Sequence, residues 1–107
     1  MPLNGLTKMT KIEVVVPGEY AAAVRDQFSG AGTTGFTSVS GVSGLGHGGY
    51  HQGRLLFNQQ AALEMLITVV PEAKAEALVA GLRRLLDDSP GVMFVTDTYV
   101  SRPEYFS

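Results

Sequence analysis

Leu63-Glu64-Met65-Leu66-Ile67-Thr68-Val69-Val70-Pro71 is the stretch on which the fold turns. Its run of aliphatic and β-branched residues reads as a strand. Pro71 stops that strand and suits the first turn of a helix, where a missing N–H costs nothing. Beyond it, Ala75, Leu78, Val79, Leu82, Leu85 and Leu86 recur at helical spacing and define one apolar face. Arg83 with Asp87, and Arg84 with Asp88, are spaced to pair along that helix, each pair worth about a few tenths of a kcal/mol. Ser89-Pro90-Gly91 ends the helix, and residues 92–100 read as a second strand. This half of the chain is therefore β-α-β.

The other half repeats the order. Lys11-Ile12-Glu13-Val14-Val15-Val16 is β-rich and closes on the turn signal Pro17-Gly18. Tyr20, Val24 and Phe28 then recur every four residues, which predicts a helix over residues 19–31 with Gly32 as its stop. A strand follows over residues 35–43. Phe36, Ser38, Ser40 and Val42 are expected on one face and Thr37, Val39 and Gly41 on the other. Both faces are weakly hydrophobic, as befits an edge strand or the wall of a polar cleft. The order β-α-β-loop-β-α-β predicts an α+β, ferredoxin-like βαββαβ sandwich: an antiparallel sheet with two helices on one face. Residues 1–10 read as a flexible lead, 11–100 as the domain and 101–107 as a tail.

Between the halves the strand dissolves into Gly44-Leu45-Gly46-His47-Gly48-Gly49-Tyr50-His51-Gln52-Gly53, with residues 54–57 as a returning arm. Glycines let backbone N–H groups approach a ligand, and successive N–H groups can form a nest for phosphate or carboxylate. Thr37, Ser38, Ser40 and Ser43 add neutral hydroxyls. A hairpin loop with no ligand is the alternative on composition alone, since no full phosphate-loop signature is present.

Composition narrows the function. The chain has 107 residues, enough for one domain, and 45% of them are hydrophobic, enough for a core. Eight basic against ten acidic residues give a net charge of −2 with no basic run, which argues against nucleic acid as a partner. The lack of cysteine removes disulfides, thiolate metal sites and a cysteine nucleophile. No apolar run approaches about 18 residues, and no secretory pattern opens the chain, so a soluble cytoplasmic protein is expected.

Candidate chemistry is sparse. His47 and His51 lack the further ligands that a metal site needs, so no metal is expected. His47 reads as a donor to phosphate and His51 as a solvated residue. The carboxylates Glu13, Asp26, Glu64, Glu72, Glu76, Asp87 and Asp88 are not forced into a pair by spacing, and no serine sits in a nucleophile elbow. Acylphosphatases share the element order, but Pro17-Gly18-Glu19-Tyr20 stands where they carry a glycine-arginine phosphate cradle. No enzyme is expected. Arg54 and Arg102 are the arginines placed to recognise a planar anion such as carboxylate, phosphate or bicarbonate, or else surface residues packing their stems on the sheet.

In their order, Lys11-Ile12-Glu13, Gly35-Phe36-Thr37, Gly44-Leu45-Gly46, Ile67-Thr68-Val69-Val70 and Met93-Phe94-Val95-Thr96-Asp97 resemble the PII signalling family. The resemblance spans residues 11–102. It implies a homotrimer with adenine nucleotide in clefts between subunits and a mobile T-loop, here at about 44–53. Carried across, Thr37 would hydrogen-bond the adenine and Val69 would contact it through its backbone. Gly35 and Phe36 would line the base and ribose pocket. Gly44, Leu45, Gly46 and His47 would meet the phosphates, with Arg102 and the tail reaching a neighbouring subunit's ligand.

The departures from that pattern are informative. Asp87-Asp88-Ser89-Pro90-Gly91 is short and acidic where the family has a glycine-rich loop with a lysine that grips the outer phosphates, which favours ADP or AMP over ATP. Ser43 stands where a lysine usually precedes the Gly-x-Gly turn, which argues against 2-oxoglutarate. The chain is most similar to the carboxysome-associated, bicarbonate-responsive PII-like proteins. That similarity implies bicarbonate as a second ligand, with Ser43, Gly44 and Arg54 as its partners. It also implies a regulator of inorganic carbon uptake acting on a bicarbonate transporter or another uptake protein, associated with carboxysomes or peripherally with a membrane transporter. The competing reading is a ferredoxin-like trimeric assembly or metal-tolerance-type module that senses no nucleotide.

Overall fold

The computed structural model of the protein describes residues 3–42 and 62–106. Strands β1 (Thr7–Pro17), β2 (Thr37–Val42), β3 (Leu63–Val70) and β4 (Val92–Val100) alternate with helices α1 (Ala21–Gly30) and α2 (Glu72–Asp87). The strands form one antiparallel sheet in the order β2-β3-β1-β4, so β1 and β3 are central and β2 and β4 are edges. Both helices pack on one face. This is the expected α+β, ferredoxin-like βαββαβ arrangement.

Strand periodicity sorts the side chains. Ile12, Val14 and Val16 of β1 and Leu66 and Val70 of β3 point to the helices. There they meet Ala21, Val24 and Phe28 of α1 and Leu78 and Leu82 of α2, all essentially buried. Burying a side chain such as Phe28 contributes about 1.5–3 kcal/mol. The predicted α2 stripe is completed by Ala75, Val79, Leu85 and Leu86, which pack against the margin of this core. Tyr20 belongs to a 3₁₀ turn (Gly18–Tyr20) that leads into α1.

Gly32 ends α1 as expected. Its N–H donates to Ser29 O at 3.0 Å, and the N–H of Thr33 reaches back to Phe28 O at 3.2 Å. These are the paired bonds of a Schellman stop, which satisfy two of the orphaned helix carbonyls. Pro71 precedes α2 rather than opening it, with φ −60° and ψ 149°.

Three expectations need adjustment. The lead is shorter than residues 1–10, because the chain is already strand at Thr7. Thr7–Thr10 pair with Val100–Asp97 of β4, and Met9 is buried. Strand β2 begins at Thr37 rather than at residue 35. Its faces also switch: Ser40 pairs with Glu64 but Val42 with Leu63, across a bulge at Gly41 with φ +74°. The extra residue turns Val42 to the side of Thr37 and Val39, not that of Ser38. Finally, the pairs Arg83–Asp87 and Arg84–Asp88 do not form. The ion pairs among the described residues are Lys8–Asp97, Lys11–Glu13 and Arg25–Glu64. An arginine placed N-terminal to its acid is the weaker orientation on a helix.

Candidate functional site: a cleft at the uncovered end of the third strand

Strand β2 pairs with β3 only as far as Thr37 opposite Ile67, so among the described residues Thr68 to Val70 have no strand neighbour on that side. The backbone there follows residues 32–36, which are pinned one after another. Lys74 Nζ donates to Gly32 O at 3.0 Å, and Thr33 Oγ1 to Phe28 O at 3.1 Å. Thr34 Oγ1 donates to Tyr105 O at 2.7 Å, and Thr68 Oγ1 to Gly35 O at 2.7 Å. Phe36 rests on the buried Phe28 with ring centroids 5.8 Å apart and a 54° tilt. Four side-chain hydrogen bonds and one aromatic contact thus tie this irregular segment to its neighbours.

Beside this segment lies a cleft of about 270 Å³. Gly35, Phe36 and Thr37 line it from one side and Ile67, Thr68 and Val69 from the other, and Phe106 of the tail lines it as well. Apolar surface dominates, and the Thr37 hydroxyl and the backbone edge of β3 supply the polar groups. Such a slot suits a flat, mainly apolar ring with hydrogen-bonding groups on its rim.

Of the residues singled out from sequence, Gly35, Phe36, Thr37 and Val69 come together around this cleft. Arg102 is not among its lining residues. Its Nη1 donates to Tyr105 Oη at 3.1 Å, and its guanidinium carbon lies 5.6 Å from the Tyr105 ring centroid. The tail is joined to the rest of its own chain by the Thr34–Tyr105 bond. Ser43, Gly44, Leu45, Gly46, His47 and Arg54, and with them the loop at 44–53, lie outside the described residues.

Three lining residues were not anticipated. Thr68 could have been, because a threonine facing inward between Leu66 and Val70 must place its hydroxyl somewhere. Nothing in the pattern of the tail signals Phe106. Among the described residues no group of three or more His, Cys, Asp or Glu is placed to hold a metal ion. No helix among them is long and apolar enough to cross a membrane.

The family model for "Nitrogen regulatory protein P-II" matches residues 9–105. The chain belongs to the P-II family. Among solved structures it is similar to CPII, a nitrogen regulatory PII-like protein from Thiomonas intermedia K12, in several ligand states. The form bound to ADP and bicarbonate shares 33% identity at a TM-score of 0.81, over 95% of this chain and 97% of that one. The form bound to ADP, AMP and bicarbonate shares 36% at 0.80, over 94% and 95%. The GlnK–ATP complex of B. subtilis, at 18% identity and a TM-score of 0.60 over 89% and 85% of the two chains, shares the P-II fold. No curated protein matches the chain significantly.

Proposed function

We propose that this P-II family member is a non-enzymatic cytoplasmic sensor that binds ADP or AMP together with bicarbonate. As a homotrimer it regulates inorganic carbon uptake, at a transporter or another uptake protein, through an effector-ordered loop at residues 44–53. The observation that carries the reading is the cleft beside the uncovered end of β3, walled by Gly35, Phe36, Thr37 and Val69. Its support is the likeness to CPII, whose structures hold ADP, AMP and bicarbonate.

In this reading Thr37 hydrogen-bonds the adenine, Val69 contacts it through the free backbone edge of β3, and Gly35 and Phe36 flank base and ribose. Gly44, Leu45, Gly46 and His47 meet the phosphates, and Arg102 with the tail reaches a neighbouring subunit's ligand. Ser43, Gly44 and Arg54 receive bicarbonate. Asp87 and Asp88, both exposed at the end of α2, make each added phosphate less favourable, so ADP and AMP bind better than ATP.

Calorimetric titration with AMP, ADP and ATP, each in bicarbonate and in chloride at constant pH and ionic strength, tests the proposal. ADP or AMP should bind more tightly than ATP and should raise Tm by mass action. Bicarbonate should change ADP affinity, and ADP should change bicarbonate affinity by the same factor. Absence of nucleotide binding would leave only an assembly module of the same fold. Equal ADP affinity in the two salts would remove bicarbonate from the mechanism.

A further inference from the structure

The last turn of the chain is built as part of the cleft. Pro103–Tyr105 form a 3₁₀ turn, closed by Tyr105 N–H donating to Arg102 O at 3.0 Å and Phe106 N–H to Pro103 O at 2.9 Å. Arg102 braces it from within by its bond to Tyr105 Oη and by lying over that ring. Thr34 anchors it from without by donating to Tyr105 O at 2.7 Å. Tyr105 itself is exposed, so these contacts do not serve the core. Their effect is to set the next residue, half-buried Phe106, among the residues that line the slot, with Phe36 and Val69.

We infer that Phe106 is a specificity-determining wall of the ligand cleft that stacks on a flat heteroaromatic base, and that Thr34 and Arg102 are positioning residues that hold it there. This rests on the proposed binding of an adenine nucleotide in the cleft. An aromatic face offers dispersion and quadrupole contacts to a base that aliphatic Ile67 and Val69 cannot supply. In the docked tail Arg102 braces the aromatic wall through Tyr105.

Titration of ADP into the intact protein and four variants tests the assignment. Phe106→Ala should weaken ADP binding at least fivefold with unchanged Tm in the absence of ligand. Phe106→Leu should fall between, since it keeps apolar volume but loses the π face. Thr34→Val, which touches no ligand, should weaken binding about twofold to fivefold. The double variant Thr34→Val/Phe106→Ala should be no weaker than Phe106→Ala alone, because both act through one contact. If the unaltered protein binds ADP and Phe106→Ala binds equally well, the wall is refuted while the sensor stands. If Thr34→Val and Phe106→Ala add independently, Thr34 does not act through Phe106. If the unaltered protein binds no adenine nucleotide, the sensor fails, and the inference fails with it.

Discussion

Two threonines on opposite walls of the cleft act in different ways. Thr68 is 2% exposed and spends its hydroxyl on Gly35 O, so it shapes the slot without facing solvent. Thr37 is exposed, pairs with Ile67 at the end of β2, and has its hydroxyl free of any partner among the described residues. Thr68→Val keeps the shape but leaves the Gly35 carbonyl without its donor, at a cost of about 0.5–1.5 kcal/mol in urea denaturation, and it loosens the wall that carries Phe36. Thr37→Val should leave stability within about 0.5 kcal/mol and weaken ADP binding by the worth of one neutral hydrogen bond, about twofold to tenfold. The two variants are told apart by measuring both quantities on each. Unchanged ADP affinity in Thr37→Val would mean that the base lies elsewhere. Gly35, Phe36 and Thr37 could be grouped because their motif precedes the glycine-rich turn, and Val69 because it belongs to the Ile67-Thr68-Val69-Val70 motif; the structure places all four around one cleft. Phe106 was not legible, since a lone phenylalanine in the tail has no periodic partner, and its turn is tied to the rest of the fold by the Thr34–Tyr105 bond.

The elements with the strongest patterns were readable to the residue. β3 and β4 have the predicted bounds because each is flanked by proline or glycine and is filled with β-formers. β1 was read short because Thr7-Lys8-Met9-Thr10 lacks an apolar run, and it is strand only because β4 extends far enough to pair with it. The bulge in β2 was equally hidden, since a register shift is a property of two strands together. Where β4 begins, backbone and packing meet at Gly91. Its φ of +143° is one that side-chain-bearing residues rarely adopt. A Cβ there would lie 2.7 Å from Val16 Cγ1, 2.9 Å from Val15 O and 3.0 Å from Leu86 Cδ2. Two of these neighbours belong to the central strand, which cannot retreat without disturbing the sheet. Gly91→Ala should therefore destabilise the fold by about 1–3 kcal/mol, read as a lower urea midpoint at constant m.

At the scale of the whole molecule, the sheet has a second face that no helix among the described residues covers. Val39, Val92 and Phe94 stand on it 44–53% exposed, beside half-buried Val15, Met65 and Ile67, and β4 adds its edge. Apolar side chains arrayed across neighbouring strands mark a surface that is buried in an assembly rather than left in water. The Lys11–Glu13 pair, 3.4 Å apart on this face, supplies its own counter-charge and so tolerates the loss of solvent better than either ion alone. The expected assembly is the P-II trimer. Light scattering after gel filtration should give about three times the 11.4 kDa mass of the chain. Phe94→Asp sets a carboxylate opposite Glu13 in the middle of that face, where burial and like charge both oppose association, and should yield monomer. The substitution lies outside the helix-side core, so the monomer should keep its far-UV spectrum. If the nucleotide sits in clefts between subunits, that folded monomer should also lose most of its ADP affinity although all the described residues of the cleft remain in place. A monomer that binds ADP undiminished would confine the site to one chain, whereas a trimeric Phe94→Asp would move the interface off this face of the sheet.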